Sequence, residues 1–289
     1  MFDATSQSDA RIGARSGTLA DGRAEIGFAG DGARTRLVHL YNRDPLRFLF
    51  PTPAPGDCMQ AGLVTTSGGL VGGDRLALDI WARDRAVASI SPTAAEKVYR
   101  STGADCEIDV ALRAQSESWL EWLPQETILF DDSRLKRVTR IDAESGARVL
   151  AGEMLIFGRI GRGERLTRGL VRDCWEVRRD GRLVWADNLH LDGDIAATID
   201  HPAGFGGATA AATAIYIAPD AEERLCDARS ALADADGLKS GATIVNGVLV
   251  ARFIGREARA LRGAFGTFWA AFRHRAGKLP AALPRLWHV

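Results

Sequence analysis

The chain has 289 residues, 46% hydrophobic and 26% charged, the make-up of a globular protein large enough to bury a sizeable core. Lys+Arg and Asp+Glu both total 37, so the formal charge is zero and the basic excess that phosphate contacts need is missing. That argues against a nucleic-acid binder, and such weak self-repulsion favours a chain kept soluble by a partner.

Residues 1 to about 20 are polar and rich in Gly, Ser and Asp, a composition expected to be disordered. A single domain is expected over residues 21–289. The N-terminus, MFDATSQSDARIGARSG, has no apolar run of the kind a secretory signal needs, and the most apolar stretch, residues 208–218, is too short to span a bilayer. Cys58, Cys106, Cys174 and Cys226 are scattered, neither a disulfide framework nor a CxxC metal pair. Free thiols suit a reducing compartment, so a cytoplasmic location with no membrane partner is expected.

Beyond residue 20, apolar and polar side chains alternate with the period of half-buried strands. Leu76, Leu78 and Ile80 alternate with Ala77 and Asp79, and Ile108, Val110 and Leu112 with Asp109, Ala111 and Arg113. Leu135 is followed by Val138, Thr139, Arg140 and Ile141, where the pattern slips once. A long, mostly polar-faced run follows from about 164 to 191. Turn signals separate the runs, among them Gly103-Ala104-Asp105, Asp131-Asp132-Ser133 and Asp180-Gly181.

LDIWARDRAVASISP (78–92), VALRAQSESWLEWLP (110–124) and RIDAESGARVLAGEM (140–154) each read strand, polar turn, strand. Pro92 and Pro124 stand 32 residues apart and the third copy follows 30 later, a weak repeat that suggests stacked β-coils. A plain meander of short strands would space itself similarly. In the C-terminal third two helices are expected. Residues 219 to about 235 open with acids in the first turn. Residues 255 to about 275 carry Leu261, Ala264, Phe265, Phe268, Trp269 and Phe272 on one face, a core-facing stripe, and end on basic residues that suit the helix dipole. Between them, 242–254 reads as a hairpin turning at Asn246-Gly247.

Little of this carries catalytic chemistry. The string SGGLVGGD (67–74) is glycine-rich, yet Asp74 would repel phosphate and a strand follows instead of a helix, so the glycines read as turns with positive φ or close backbone approach. There is no GxSxG elbow and no His in a nucleophile's setting. Glu121, Glu126, Asp131 and Asp132 lie close enough in sequence for a glycoside-cleaving carboxylate pair, although acids at turns are usually just solvated. Dense His/Cys clusters are missing, so no tight metal site is expected. SPTAAEKVYRS (91–101) and SWLEWLPQETILF (118–130) stand out differently. They mix Lys97, Tyr99, Arg100, Trp119 and Trp122 with acids, the composition of a protein interface.

Taken in order, GGLVGGD (68–74), SPTAAEKVYRS (91–101), EWLPQET (121–127), RVLAGEMLIFGR (148–159) and GERLTRG (163–169) closely resemble one family, the urease accessory protein UreD, called UreH in some bacteria. DPLRFLFP (44–51) and the ending LPRLWHV (283–289) match its early and C-terminal segments, so the resemblance spans about residues 23 to 289. Thr66-Ser67 and Ser91 depart from the family's usual residues, and the first 20 match nothing.

The resemblance implies a mostly β fold with β-helix or solenoid-like winding of short strands and two α-helices. It implies no turnover and no tightly bound cofactor. The partners would be UreF, through it the GTPase UreG, and apo-urease, with Ni²⁺ in transit through a water-filled passage. A conduit needs weak, multi-site polar lining, because a tight site would trap the ion. Asp74, Tyr99, Glu121, Glu126, Asp131 and Glu153 are the passage candidates. Arg100, Arg137 or Arg168 could instead simply pair with these acids. Lys97, Arg100, Trp119, Trp122, Arg285 and Trp287 are the interface candidates. Two other readings stay open: a β-solenoid enzyme acting on carbohydrate, and a binding module for an unrelated complex.

Overall fold

The computed structural model describes residues 19–32, 34–232 and 236–288. The stretch expected to be disordered lies almost wholly outside that set. The chain winds between two β-sheets. β1 (Asp21–Gly30) opens the first coil, β2 (Thr35–Arg43) and β3 (Leu46–Leu49) make antiparallel excursions, and β4 (Met59–Thr65) closes it in the second sheet. The next coil is β5 (Arg75–Arg83), β6 (Val87–Pro92) and the short β7 (Glu96–Val98). Then come β8 (Cys106–Ala114), β9 (Trp119–Trp122) and β10 (Glu126–Leu129), and after them β11 (Arg134–Ala143) and β12 (Arg148–Phe157). β13 (Arg168–Arg179) and β14 (Arg182–Asp194) form a hairpin, and the helix α1 (Ile195–Asp200) leads to β15 (Ala210–Ile217). The helix α2 (Leu225–Ala231), the hairpin β16 (Leu238–Val245) and β17 (Val248–Gly255), and the long helix α3 (Ala258–Gly277) complete the fold.

Coil stacks on coil through parallel pairing. β1, β5, β8, β11 and β13 run parallel in a seven-stranded sheet ordered β14-β13-β11-β8-β5-β1-β2. β4, β6, β9 and β12 run parallel in the ten-stranded sheet, ordered β16-β17-β15-β12-β9-β6-β4-β3, with β10 and β7 attached beside β12. Mostly strand, with helices in the C-terminal part, this is the solenoid-like winding expected. The repeat is structural: Leu78 pairs with Val110 and Val87 with Trp119, the spacing that aligns Pro92 with Pro124. Val110 then pairs with Thr139, so the third copy sits one residue earlier than the alignment read it.

Each coil buries its alternate residues between the sheets. Ile26, Leu78, Ile80, Val110, Leu112 and Ile141 from the first sheet meet Ile90, Leu120, Trp122, Val149 and Ala151 from the second. The other face of the second sheet is not solvated. α3 lies on it and buries Leu261, Ala264, Phe265, Phe268, Trp269 and Phe272 there, so the stripe read from the sequence faces core. The 246–247 hairpin turn also forms, with Asn246 at φ 48° and Gly247 at φ 76°, the pair of positive φ values a tight two-residue turn requires.

The first expected helix is shorter than the 219 to about 235 read from its acids, and its far end lies outside the described residues. Regular helix starts only at Leu225, because the Asp220 carboxylate accepts from Tyr216 and Arg224 while the Ala221 and Leu225 amides bond three residues back. α1 is an additional short helix, capped by the Asp194 side chain accepting from the Ala197 amide.

The glycine string is a structural turn. Leu70 is buried and bonds Lys97 and Tyr99 through its backbone, with its amide 2.7 Å from the Lys97 carbonyl. Gly69 has φ 141°, and a Cβ there would stand 2.9 Å from that carbonyl and closer still to the Tyr99 ring. Gly69→Ala is therefore expected to lower stability by about 1–3 kcal/mol through backbone strain and overlap, read from the midpoint of urea unfolding.

Candidate functional site

The slip read in the alternation of β11 falls at Arg137. In the structure there is no slip: Leu135, Arg137, Thr139 and Ile141 all point between the sheets. Arg137 is therefore an arginine placed in an apolar row. It is 4% exposed. Its Nε and Nη2 donate to the two Asp173 oxygens at 2.9 and 3.0 Å, and Nη1 reaches Glu153 Oε1 at 2.9 Å and Thr127 Oγ1 at 2.9 Å. Asp173 is the residue in register with Arg137 on β13, while Glu153 comes from β12 in the facing sheet.

Two internal cavities meet at this triad. One, about 60 Å³, is lined by Thr65, Glu96, Trp122, Gln125, Thr127, Arg137 and Glu153, and reaches the exposed Ala94. The other, about 110 Å³, is lined by Glu153, Asp173, Asp187, Ala211, Thr213 and Arg252, and opens where the Arg252 side chain is exposed. Apolar side chains, among them Leu78 and Val110 in the first and Trp175 and Phe205 in the second, make up most of both walls, and the polar groups are set into them. Each cavity is roomy enough for a few waters at those polar groups. Glu153 lines both, and Arg137 spans from the first cavity to the Asp173 wall of the second.

One cation against two ionised carboxylates would leave the triad one positive charge short of balance. Burial works against the guanidinium's charge, yet Asp173 and Glu153 more than offset it, and Arg137 is held above its ordinary value. For Glu153 burial dominates; with Asp173 adding repulsion and Arg137 opposing, its pKa is pushed up to about 7 from 4.5. Burial likewise raises Glu96, which accepts from Thr65 Oγ1 at 2.9 Å, and pushes the buried Cys106 thiol up to about 12, so that it stays neutral. Such groups are poor devices for stability, since desolvation offsets their attraction, and Glu153 and Glu96 stand along a cavity, which makes them candidates for function. The native state holds Glu153's proton more tightly than the unfolded chain. Its stabilising effect is thus full below pH 4.5 and lost as pH rises through about 7. Unfolding free energy is expected to fall over that window, and Glu153→Gln to remove that part of the slope, in urea titrations at a series of pH values.

Of the sequence-picked passage residues, only Glu153 lines these cavities. Asp74 closes the glycine turn, its carboxylate accepting from the Ala20 and Val71 amides. Tyr99 donates to the Gly68 carbonyl and packs edge-on against Phe130. Glu126 pairs with Arg262 at 3.1 Å. Asp131 ties two coils together by accepting from the Thr167 amide and hydroxyl, and although burial opposes, these bonds hold its pKa below the usual range. Glu121 lies on the opposite face of the second sheet, under α3, with Arg273 Nε at 2.9 Å.

The interface candidates divide. Lys97, Arg100 and Arg285 are exposed. Trp119, Trp122 and Trp287 are buried within the chain, so their side chains are not open to a partner in this structure. Trp119 packs against Gly277 and donates to Glu121, Trp122 lines the smaller cavity, and Trp287 is 3% exposed with Arg262 stacked on its ring. The carboxylates considered for sugar cleavage do not converge either, since Glu121, Glu126 and Asp131 are each engaged in a different part of the fold. Reading β11 as strictly alternating would have found Arg137. Asp173 sits in a strand that looked polar-faced and solvated, and its role is visible only from the pairing.

Among the described residues, no group of three or more His, Cys, Asp and Glu is placed to hold a metal ion, and no helix is long and apolar enough to cross a membrane. What the fold and its interior define is a two-sheet β-solenoid, locked by a C-terminal helix, with a buried ionic triad between its sheets. The chain belongs to the UreD family: the family model described as "UreD urease accessory protein" matches residues 20–288. Among similar proteins, the "Urease accessory protein UreD" of Magnetococcus marinus is 44% identical over 272 residues, 93% of this chain and 94% of that one. The protein of the same description from Xanthobacter autotrophicus is 41% identical, covering 92% of this chain and 89% of its own. That of Rhodopseudomonas palustris strain HaA2 is 39% identical over 98% of both chains.

Proposed function

We propose that the chain is a non-catalytic, cytosolic scaffold of urease maturation that binds UreF, through it the GTPase UreG, and apo-urease, and hands Ni²⁺ to the urease active site along its interior. The observation that carries this reading is Glu153, a buried carboxylate paired with Arg137 that lines two cavities at once and has an elevated pKa. Weak oxygen sites in series let a divalent cation exchange its waters and move on, whereas a preformed His/Cys cage would hold Ni²⁺. Glu96 and Asp187, on the two cavities' outer walls, would take the ion up and release it. The exposed Lys97, Arg100 and Arg285 are the candidates for partner contact.

The test is co-purification of the chain with UreF and apo-urease, followed by urease activation with and without it. Capture of both partners and dependence of activation on the chain support the scaffold, and full activation in its absence removes it. Turnover of a saccharide by the chain alone would favour the enzyme reading instead.

A further inference from the structure

We infer that Arg137 is the resident counter-cation of the passage: its guanidinium occupies the place between Glu153 and Asp173 that a divalent ion would take, and so keeps the junction from becoming a trap. This rests on the reading of the interior as a cation path. Both carboxylates are buried, and both contact the same guanidinium, Asp173 through two parallel hydrogen bonds and Glu153 through one. Two buried carboxylates with no counter-charge would hold a divalent cation strongly, because their low-dielectric surroundings screen the attraction little. Arg137 is a permanent cation on a tether. It competes with the cargo for the same oxygens and takes them back once the cargo has gone.

The contacts also indicate which bond gives way. The bidentate Asp173 pair is geometrically fixed by neighbouring strands, with Arg137 and Asp173 in register, whereas Glu153 reaches from the other sheet with a single contact. Glu153 is the ligand an arriving ion would win, with Arg137 remaining docked on Asp173. Cargo then always sits beside a positive charge, which keeps its stay short.

The test uses the full chain, co-purified with its partner where solubility demands it, and Ni²⁺ alone as probe in equilibrium dialysis. Arg137→Met is expected to retain about one Ni²⁺ per chain with affinity about tenfold or more above the parent, and adding Glu153→Gln to abolish the gain. A folded Arg137→Met chain that retains no more Ni²⁺ than the parent overturns the inference. Where that variant does not fold, Arg137→Lys serves: it keeps the charge but not the bidentate grip, and is expected to retain Ni²⁺ several-fold better than the parent. Retention equal to the parent's overturns the inference equally. The two readings fail separately. If Glu153→Gln activates urease fully, the passage itself is wrong; if Glu153→Gln is impaired while Arg137→Met gains no Ni²⁺, the passage stands and Arg137 is not its counter-cation.

Discussion

Replacing Arg273 by Met is expected to lower the folding free energy by about 3–5 kcal/mol, the loss seen when one partner of a buried ion pair is removed. Arg273 is 0% exposed, on the last turns of α3. Its Nη2 meets Asp57 Oδ1 at 2.7 Å and its Nε meets Glu121 Oε1 at 2.9 Å, while Nη1 donates to the Pro280 and Ala282 carbonyls. One side chain thus pins the helix to the first coil, to the third coil and to the C-terminal segment. Without it two carboxylates stay buried and unpaired, and Glu121 Oε2 already has no partner. The loss should shrink when Glu121→Gln is added, since a neutral amide costs less to bury. Urea unfolding of the two variants reads both effects. The C-terminal residues belong to the same lock: Gln125 and Arg262 hold the Trp287 carbonyl, so truncation within 283–289 should cost structure as well as any binding.

Glu153→Gln is expected to cut urease activation by about tenfold or more while leaving the fold and the partner complex intact. Gln keeps the volume and can still accept from Arg137, so the path stays the same shape. What changes is charge. A neutral amide leaves Arg137 and Asp173 as a balanced pair, and the one carboxylate that lines both cavities is lost. Initial rates of activation at matched nickel, with complex composition checked by gel filtration, decide it. Unchanged rates with intact complexes would mean that the passage reading is wrong.

Much of the fold could be read from the chain, because period-2 strands and the period-3.6 stripe of α3 are local signals. The hairpin at Asn246-Gly247 and the coil spacing through Pro92 and Pro124 are local in the same way. The site was far less legible. In the second sheet both faces are covered, one by the opposite sheet and one by α3, so alternation disappears and WLEW at 119–122 is buried throughout. Nothing in that string says whether Glu121 faces the coil interior or the helix. Glu153 has the same ambiguity in a strand with only its first residue less than buried, and only the fold turns it inward. The turn acids Asp74 and Asp131 looked unpaired because their partners are backbone amides, which the sequence does not display.

The central claim is that the interior is a route for nickel, and a test of it should block the route without touching a charge. Ala211 lines the outer cavity between Leu155 and Ile254, its cross-strand partners, and is only half-buried. Ala211→Leu would grow into the roughly 110 Å³ space there. The measurement is the nickel content of urease per active site after activation with this variant, in complexes of unchanged composition. The account predicts a clear deficit relative to the parent chain. Full nickel occupancy, with the variant folded and its partners bound, would contradict it.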